Sequence, residues 1–233
     1  MYGTRSESLV EAAYNHIRAL ILDGALKPGA RIDLGEVRKL LEVSHQPVRD
    51  AVNRLAAEGF VEVIPQVGCR VRRIGRQDVE DFLEVFAGFE GRMASFAALR
   101  ASDAQILELA QISKGIGKLW PRSKPVSPVA IAPKFRVLNR TFHTAVHDMA
   151  HSPSLKQLSV MLMDRYDFYI ACALGEMLYA TRPDAAHEEH EQVVLAITER
   201  DAKSARATME KHILNSIERV LEAARRLSFE DAG

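Results

Sequence analysis

Residues 40–71 read LLEVSHQPVRDAVNRLAAEGFVEVIPQVGCRV, and the hydrophobic period changes within them. Val48, Ala51, Val52 and Leu55 recur at helical spacing, and Gly59 stops that helix. Beyond it, 60–64 and 69–74 are dense in β-branched or aromatic residues at alternate positions, with Pro65, Gln66, Val67 and Gly68 as a turn between them. Ser44 is expected as the N-cap of the helix. Pro47 fits its first turn, where a missing N–H costs nothing. Upstream, 34–41 forms a shorter helix joined through Glu42, Val43 and Ser44. Further upstream, a helix over 8–24 ends at Leu26, Lys27, Pro28, Gly29 and Ala30, because proline cannot continue a helix and glycine takes turn angles readily. Helix, turn, helix and hairpin in this order make a winged helix-turn-helix.

In such a motif the second helix enters the major groove by its N-terminal residues while the first crosses the backbone. Ser44, His45 and Gln46 occupy that entering end. With Val48, Ala51, Val52 and Leu55 packed inward, Arg49 and Arg54 fall on exposed faces, where a guanidinium reaches guanine edges or phosphates. Gly68 permits a tight wing tip, and Arg70, Arg72 and Arg73 put positive charge beside it. A lone surface arginine is as often simply solvated. The ordered set of turn, helix and basic wing tilts the reading from a protein-contact module towards double-stranded operator DNA.

Composition constrains the remainder. The chain has 233 residues with 31 Lys+Arg and 31 Asp+Glu, so no global basic excess advertises nucleic acid or membrane. Residues 1–76 carry 12 basic against 9 acidic side chains, and 77–233 carry 19 against 22. Cys69 and Cys172 fit neither a disulfide framework nor a CxxC motif, which suits a reducing cytoplasm. No run approaches the roughly 18 apolar residues of a membrane span, and the start of the chain lacks the apolar core of a signal peptide. A soluble, cytoplasmic protein without membrane attachment is expected.

The expected fold is mainly α: a winged helix-turn-helix with a small β-hairpin over 1–75, then an all-α helical bundle over 76–233. Strand periodicity gives way to helix periodicity near 73–77. Helices are expected over 76–101, 103–119, 134–151, 154–178, 184–200 and 202–227. Pro121, Pro125, Pro128 and Pro133, with two serines, predict an exposed, mobile loop over 120–133.

The first part resembles the N-terminal domain of the GntR family of transcription regulators. The resemblance rests on LILDGALKPGARI at 20–32 and on the stretch at 40–71. It implies DNA contacts at Arg49, Arg54 and the wing around Gly68. The family commonly reads Ser-Arg-Thr-Pro-Val-Arg where this chain has Ser44-His45-Gln46-Pro47-Val48-Arg49, so His45 replaces an arginine. A different operator or affinity is implied.

The bundle is marked by histidines. On 134–151, Phe135, Leu138, Phe142, Val146 and Met149 form the apolar stripe, with Asn139 and His143 at its edge and His147 and His151 rotating towards solvent. His190 lies within the stripe of Ala186, Val193, Val194 and Ile197. His212 borders that of Met209, Ile213, Ile217, Val220 and Ala224. One inward histidine is usually a hydrogen-bonded core residue. Three from separate helices make a different case. Imidazole suits zinc, nickel, copper or iron, and three of them with an oxygen ligand leave positions open for water or a carboxylate. On 154–178, Arg165 falls inside the stripe of Leu158, Met161, Leu162, Phe168, Tyr169 and Cys172. Two readings stand for it: an internal ion pair or snorkelling to the rim, and recognition of a ligand carboxylate with Tyr169 alongside.

Asn139-Arg140-Thr141-Phe142-His143, Glu189-His190 with Ala196, Ile197 and Asp201, and Met209 through Ile213 resemble the FCD ligand-binding domain of the FadR subfamily of GntR regulators. The resemblance implies one divalent transition metal per chain, zinc or nickel, held by Asn139, His143, His190 and His212, with Asn139 where an aspartate is often found. It implies a homodimer and a small-molecule effector, a carboxylate. Phe86 stands where the family frequently has an arginine. Against a metal-dependent hydrolytic enzyme stand the absence of HExxH, GxSxG, P-loop and GxGxxG patterns and the outward rotation of Glu191 from the His190 face. A structural adaptor would use the same metal only to hold the bundle together. The reading that joins both halves is a ligand-responsive, DNA-binding regulator without catalytic residues.

Overall fold

The computed structural model describes residues 3–120, 126–174 and 183–230. Among them are helices α1 (Gly3–Leu22), α2 (Leu34–Leu41) and α3 (His45–Ala57), strands β1 (Val61–Ile64) and β2 (Gly68–Val71), and helices α4 (Arg76–Arg100), α5 (Asp103–Gly117), α6 (Pro128–Met149), α7 (Pro153–Leu174), α8 (Pro183–Thr198) and α9 (Ala202–Glu230). The chain divides into two units. One holds the residues up to Gly75 together with α7 from Asp167 on, and the other holds Arg76–Tyr166 and the remainder.

In the first unit α1 packs on α3 and α2 on both, because each offers one apolar face. Ile17 and Ile21 of α1 and Val48, Ala51, Val52 and Leu55 of α3 are all buried in this core. Asp33 caps α2, its Oδ1 accepting from the backbone N–H of Gly35 at 2.8 Å and Glu36 at 3.1 Å. Glu42 leaves α2 in the left-handed region at φ 53°, which turns the chain sharply into α3. Ser44 stands at the N-cap position of α3, but its side chain makes no cap hydrogen bond.

The hairpin is antiparallel, with Val61 opposite Val71, Glu62 opposite Arg70, Val63 opposite Cys69 and Ile64 opposite Gly68. Val61, Cys69 and Val71 face the core, in keeping with alternation along a strand. Sequence periodicity gave no sign of a third edge. The Gly29 and Ile32 N–H groups donate to the carbonyls of Val71 and Cys69, and Val71 N–H donates to Ala30, so 29–32 runs alongside β2. Near the tip, Arg31 Nη2 donates to the Val67 carbonyl at 3.0 Å. Phe168 of α7 meets Phe60 edge-on with ring centres 4.8 Å apart.

In the second unit α4 packs against α6, α8 and α9, while α5 packs against α6 and α8. Leu83, Phe86, Met93 and Ala97 of α4 are sealed inside. Gly91 lets α9 approach: an added Cβ would lie 2.9 Å from the Arg206 carbonyl oxygen and 2.4 Å from Glu210 Cγ. Ser102 and Gln105 close a capping box on α5.

Three expectations change here. The loop expected over 120–133 is in part a helix: α6 begins at Pro128, with proline at its first turn, and includes Pro133. Pro133 costs a helical hydrogen bond, about 3 kcal/mol in a helix interior, set against burial of Ile131, Ala132 and Phe135. The stretch 121–125 of that expected loop lies outside the described residues, as does the end of the helix expected to reach 178. On α7 the expected stripe holds in its second half, where Phe168 and Tyr169 are buried along with Tyr166, Asp167, Ile170 and Ala171, but not in its first, where Ser159 and Met163 are buried, Met161 is exposed and Leu158, Leu162 and Arg165 are half-buried. This helix has apolar residues on several faces, so periodicity alone did not fix its rotation. Finally, His147 is buried rather than turning to solvent, because α6 buries a broad arc that also takes in Asn139, His143, Val146 and Ala150. The side chains of Ile217, Val220 and Ala224 lie outside the described ones.

Candidate functional site

The first candidate surface is the start of α3 with the hairpin. Ser44, His45, Gln46 and Arg49 are all exposed there. Gln46 Nε2 donates to Asp50 Oδ1 at 2.8 Å, which fixes it along the helix. Arg49 has no ion-pair or hydrogen-bond partner among the described residues, leaving its guanidinium available. Arg54 differs. Its Nη1 lies 2.7 Å from Glu11 Oε2, its Nε 3.2 Å from Glu58 Oε1, and its guanidinium 3.8 Å from the centre of the Tyr14 ring. Tyr14 in turn donates to Glu58 at 2.6 Å, and burial, reinforced by that bond, pushes its hydroxyl well above the usual phenol range. Arg54 therefore braces α3 against α1, and DNA would have to compete with two carboxylates for it. Arg70 faces Glu62 across the hairpin at 2.9 Å. Gly68, at φ 129°, shapes the wing tip, and Arg72 and Arg73 are exposed just beyond β2.

The second candidate site is internal. His143 of α6, His190 of α8 and His212 of α9 converge, each offering one ring nitrogen, and these nitrogens all lie within 4.8 Å of one another. All three rings are buried. Asn139, also buried, sits one turn ahead of His143 on α6. Two carboxylates serve the cluster. Glu90 of α4, fully buried, places Oε2 2.7 Å from His143 Nδ1, and its Oε1 is hydrogen-bonded to His147 Nε2. Glu189 of α8 lies 2.8 Å from His212 Nδ1, accepts from Asn215 at 2.7 Å and pairs with both terminal nitrogens of Arg219 at 2.9 Å.

Burial opposes the charge on Glu90, yet His147 and His143 beside it hold its carboxyl well below the usual range. Glu189 is likewise down to about 2: burial raises it, and the bonds from His212, Arg219 and Asn215 outweigh that. Burial, then the neighbouring His212 and His143, drives His190 well below an ordinary imidazole. Burial also lowers His212, against the opposing pull of Glu189. His190 is the exception in hydrogen bonding: both of its ring nitrogens are buried without a partner. Its ring centre is 4.2 Å from Phe142 and 4.5 Å from His212.

Sequence reasoning thus named the three converging histidines but not Glu90, Glu189, Arg219 or the role of His147. A signal for Glu90 existed. Positions 83, 86, 90, 93 and 97 of α4 fall on one helical stripe, so an acid at 90 stands in register with buried apolar residues. Glu191 is exposed and bonded to Ser113, turned from the cluster as its helical phase implied. Of the two residues read as effector contacts, Arg165 lies half-buried in the helical unit and Tyr169 is buried in the part of α7 grouped with the first unit. No described helix is long and apolar enough to cross a membrane.

Comparison with known proteins agrees across both units. Residues 9–71 match the family model for bacterial regulatory proteins of the gntR family, and residues 81–215 match that of the FCD domain. The HTH-type transcriptional repressor GlaR of Escherichia coli is 24% identical, over 90% of this chain and 94% of its own length. The Uxu operon transcriptional regulator of the same species is also 24% identical, over 94% of this chain and 90% of its own. In fold, the solved structure of Escherichia coli McbR/YncC superposes with a TM-score of 0.74 at 19% identity, covering 92% of this chain and 97% of that one. GlaR and the Uxu operon regulator are transcriptional regulators, not enzymes. With an exposed helix-turn-helix and wing in one unit and an FCD bundle in the other, the chain belongs to the GntR family of DNA-binding transcription regulators with an FCD effector-binding domain.

Proposed function

We propose that this regulator works in the cytoplasm as a homodimer whose two α3 helices read a pseudo-palindromic operator, and that its bundle binds a divalent transition metal and a small carboxylate effector. At the DNA, Arg49 is the proposed base- or phosphate-contacting cation, with Ser44, His45 and Gln46 beside it and the Gly68 tip against the backbone. Arg54 and Arg70, already paired within the protein, contribute less.

In the bundle, His143, His190 and His212 would hold the metal, with Asn139 as a neutral fourth neighbour. Zinc or nickel suits a set of imidazoles. The single observation that carries this reading is His190. A buried ring with neither nitrogen hydrogen-bonded costs about 1–3 kcal/mol per unsatisfied group, and its depressed pKa keeps it neutral, the form in which imidazole ligates. Two more imidazoles within 4.8 Å make a metal the partner that fits. When bound, such an ion supplies an open coordination position that attracts a carboxylate. Arg165 on α7 is proposed as a further contact of the effector's carboxylate. A ligand with different affinities for two arrangements of the protein shifts the balance between them and with it operator binding.

Metal content of protein purified without added metal or nickel resin tests the site. About one transition metal ion per chain in the wild type and none in His190→Ala is the expected result. A wild type that stays empty after incubation with zinc and nickel would refute it.

A further inference from the structure

We propose that Glu90 is a positioning residue of the imidazole cluster, holding the ring proton of His143 on Nδ1 so that Nε2 carries the lone pair offered to a metal. The inference rests on the metal-site reading above and assigns a role to a residue outside the ligand set. An ionised carboxylate only accepts hydrogen bonds, and a neutral imidazole has one donor and one acceptor nitrogen. With Oε2 2.7 Å from His143 Nδ1, Glu90 requires Nδ1 to be the donor. The same carboxylate takes the Nε2 proton of His147 through Oε1, so both oxygens are committed and the group sits fully buried between two rings.

The arrangement is repeated on the other side of the cluster. Glu189 Oε2 lies 2.8 Å from His212 Nδ1, and Arg219 and Asn215 hold that carboxylate in place. Carboxylates from α4 and α8 therefore impose one tautomer on two of the three rings, whereas His190 has none. A partner on the distal nitrogen fixes ring orientation and raises the basicity of a ligating imidazole. An acid that served only to tie α4 to α6 would gain equally from either ring nitrogen of His143. The bond at Nδ1 is the one that leaves Nε2 for a metal.

Glu90→Gln separates these accounts. Glutamine keeps the size, but its one carbonyl oxygen and one amide NH2 cannot accept from both histidines. Cobalt(II), read by its visible absorption, is the probe. The wild type is expected to take up one ion per chain, and Glu90→Gln to bind about 10–100-fold more weakly, with an altered spectrum and unchanged helical circular dichroism. A variant that matches the wild type in affinity and spectrum overturns the assignment. Independently of any variant, nitrogen NMR of the metal-free wild type should show the single ring proton of His143 on Nδ1; a proton on Nε2, alone or together with one on Nδ1, overturns it. A wild type that binds no cobalt overturns this role together with the metal site, and so is distinct from failure of Glu90 alone.

Discussion

Arg49 on α3 is exposed and has no partner among the described residues, whereas Glu90 on α4 is sealed from water and holds two histidines. The contrast extends to the two regions. Around α3 an apolar core of Ile17, Ile21, Val48, Val52 and Leu55 is sealed inside, and Ser44, His45, Gln46 and Arg49 stand exposed outside it. Around His190 the polar groups are inside, where an unmade hydrogen bond costs about 1–3 kcal/mol, so every partner must be supplied by the fold. The difference makes the two sites legible in different ways. On the surface the candidate is an exposed arginine without a partner among the described residues; in the cluster it is His190, with neither ring nitrogen hydrogen-bonded.

The largest expected effect is at that ring. His190→Ala should abolish metal uptake and remove any rise in melting temperature on adding zinc, measured by metal analysis and thermal denaturation. Retained stoichiometry would mean that the orphan nitrogens are not ligands. Next comes Arg49→Ala, which should weaken operator binding by about 1–3 kcal/mol, roughly 10–100-fold, as for loss of a good base contact. Fluorescence anisotropy on an operator selected from random duplexes gives the number, and metal content should not move.

Arg54→Ala sharpens the comparison within one helix. Its exposed pairs with Glu11 and Glu58 and its stacking on Tyr14 predict a stability loss of about 1 kcal/mol in urea unfolding, with a smaller effect on DNA than Arg49→Ala. A larger DNA effect would return Arg54 to the interface. The smallest difference lies between two caps. Asp33→Ala should cost about 1 kcal/mol because two N–H groups lose their acceptor. Ser44→Ala should stay within about 0.5 kcal/mol, the usual range for surface changes away from such contacts. Any operator effect of Ser44→Ala then reports contact with DNA and not loss of a cap.

Much of the first unit could be read locally. The helical stripe of α3, the stop at Gly59 and the alternation in the hairpin are short-range signals, and α2, α3 and the two strands formed within about three residues of their expected bounds, while α1 begins at Gly3, ahead of the expected 8. What escaped was non-local: the edge at 29–32 beside β2, and the commitment of Arg54 to Glu11, 43 residues away in sequence. In the bundle, helical phase placed His143, His190 and His212 inward, because each lies in or beside a clean apolar stripe. The same reasoning turned His147 to solvent, since it treats a helix as having one buried face while α6 buries a wide arc. On the first half of α7 it chose Met161 over Met163 for the opposite reason, too many apolar residues to choose among. Pro133 was read as a breaker, although near a helix start the loss of one hydrogen bond is offset by burial of Phe135 and its neighbours. Glu90 shows what a finer reading can recover: an acid in phase with Phe86 and Met93 needs a buried partner.

Under the proposed function, the state of the interior site governs the exterior one. Operator affinity of the full chain, measured side by side in zinc-loaded and zinc-free protein and repeated with His190→Ala, tests this most directly. A change of about 5-fold or more between the two wild-type states, with His190→Ala fixed at the zinc-free value, is the expected result. Equal affinity in both wild-type states, matched by the variant, would contradict it and leave the histidine cluster without a part in regulation.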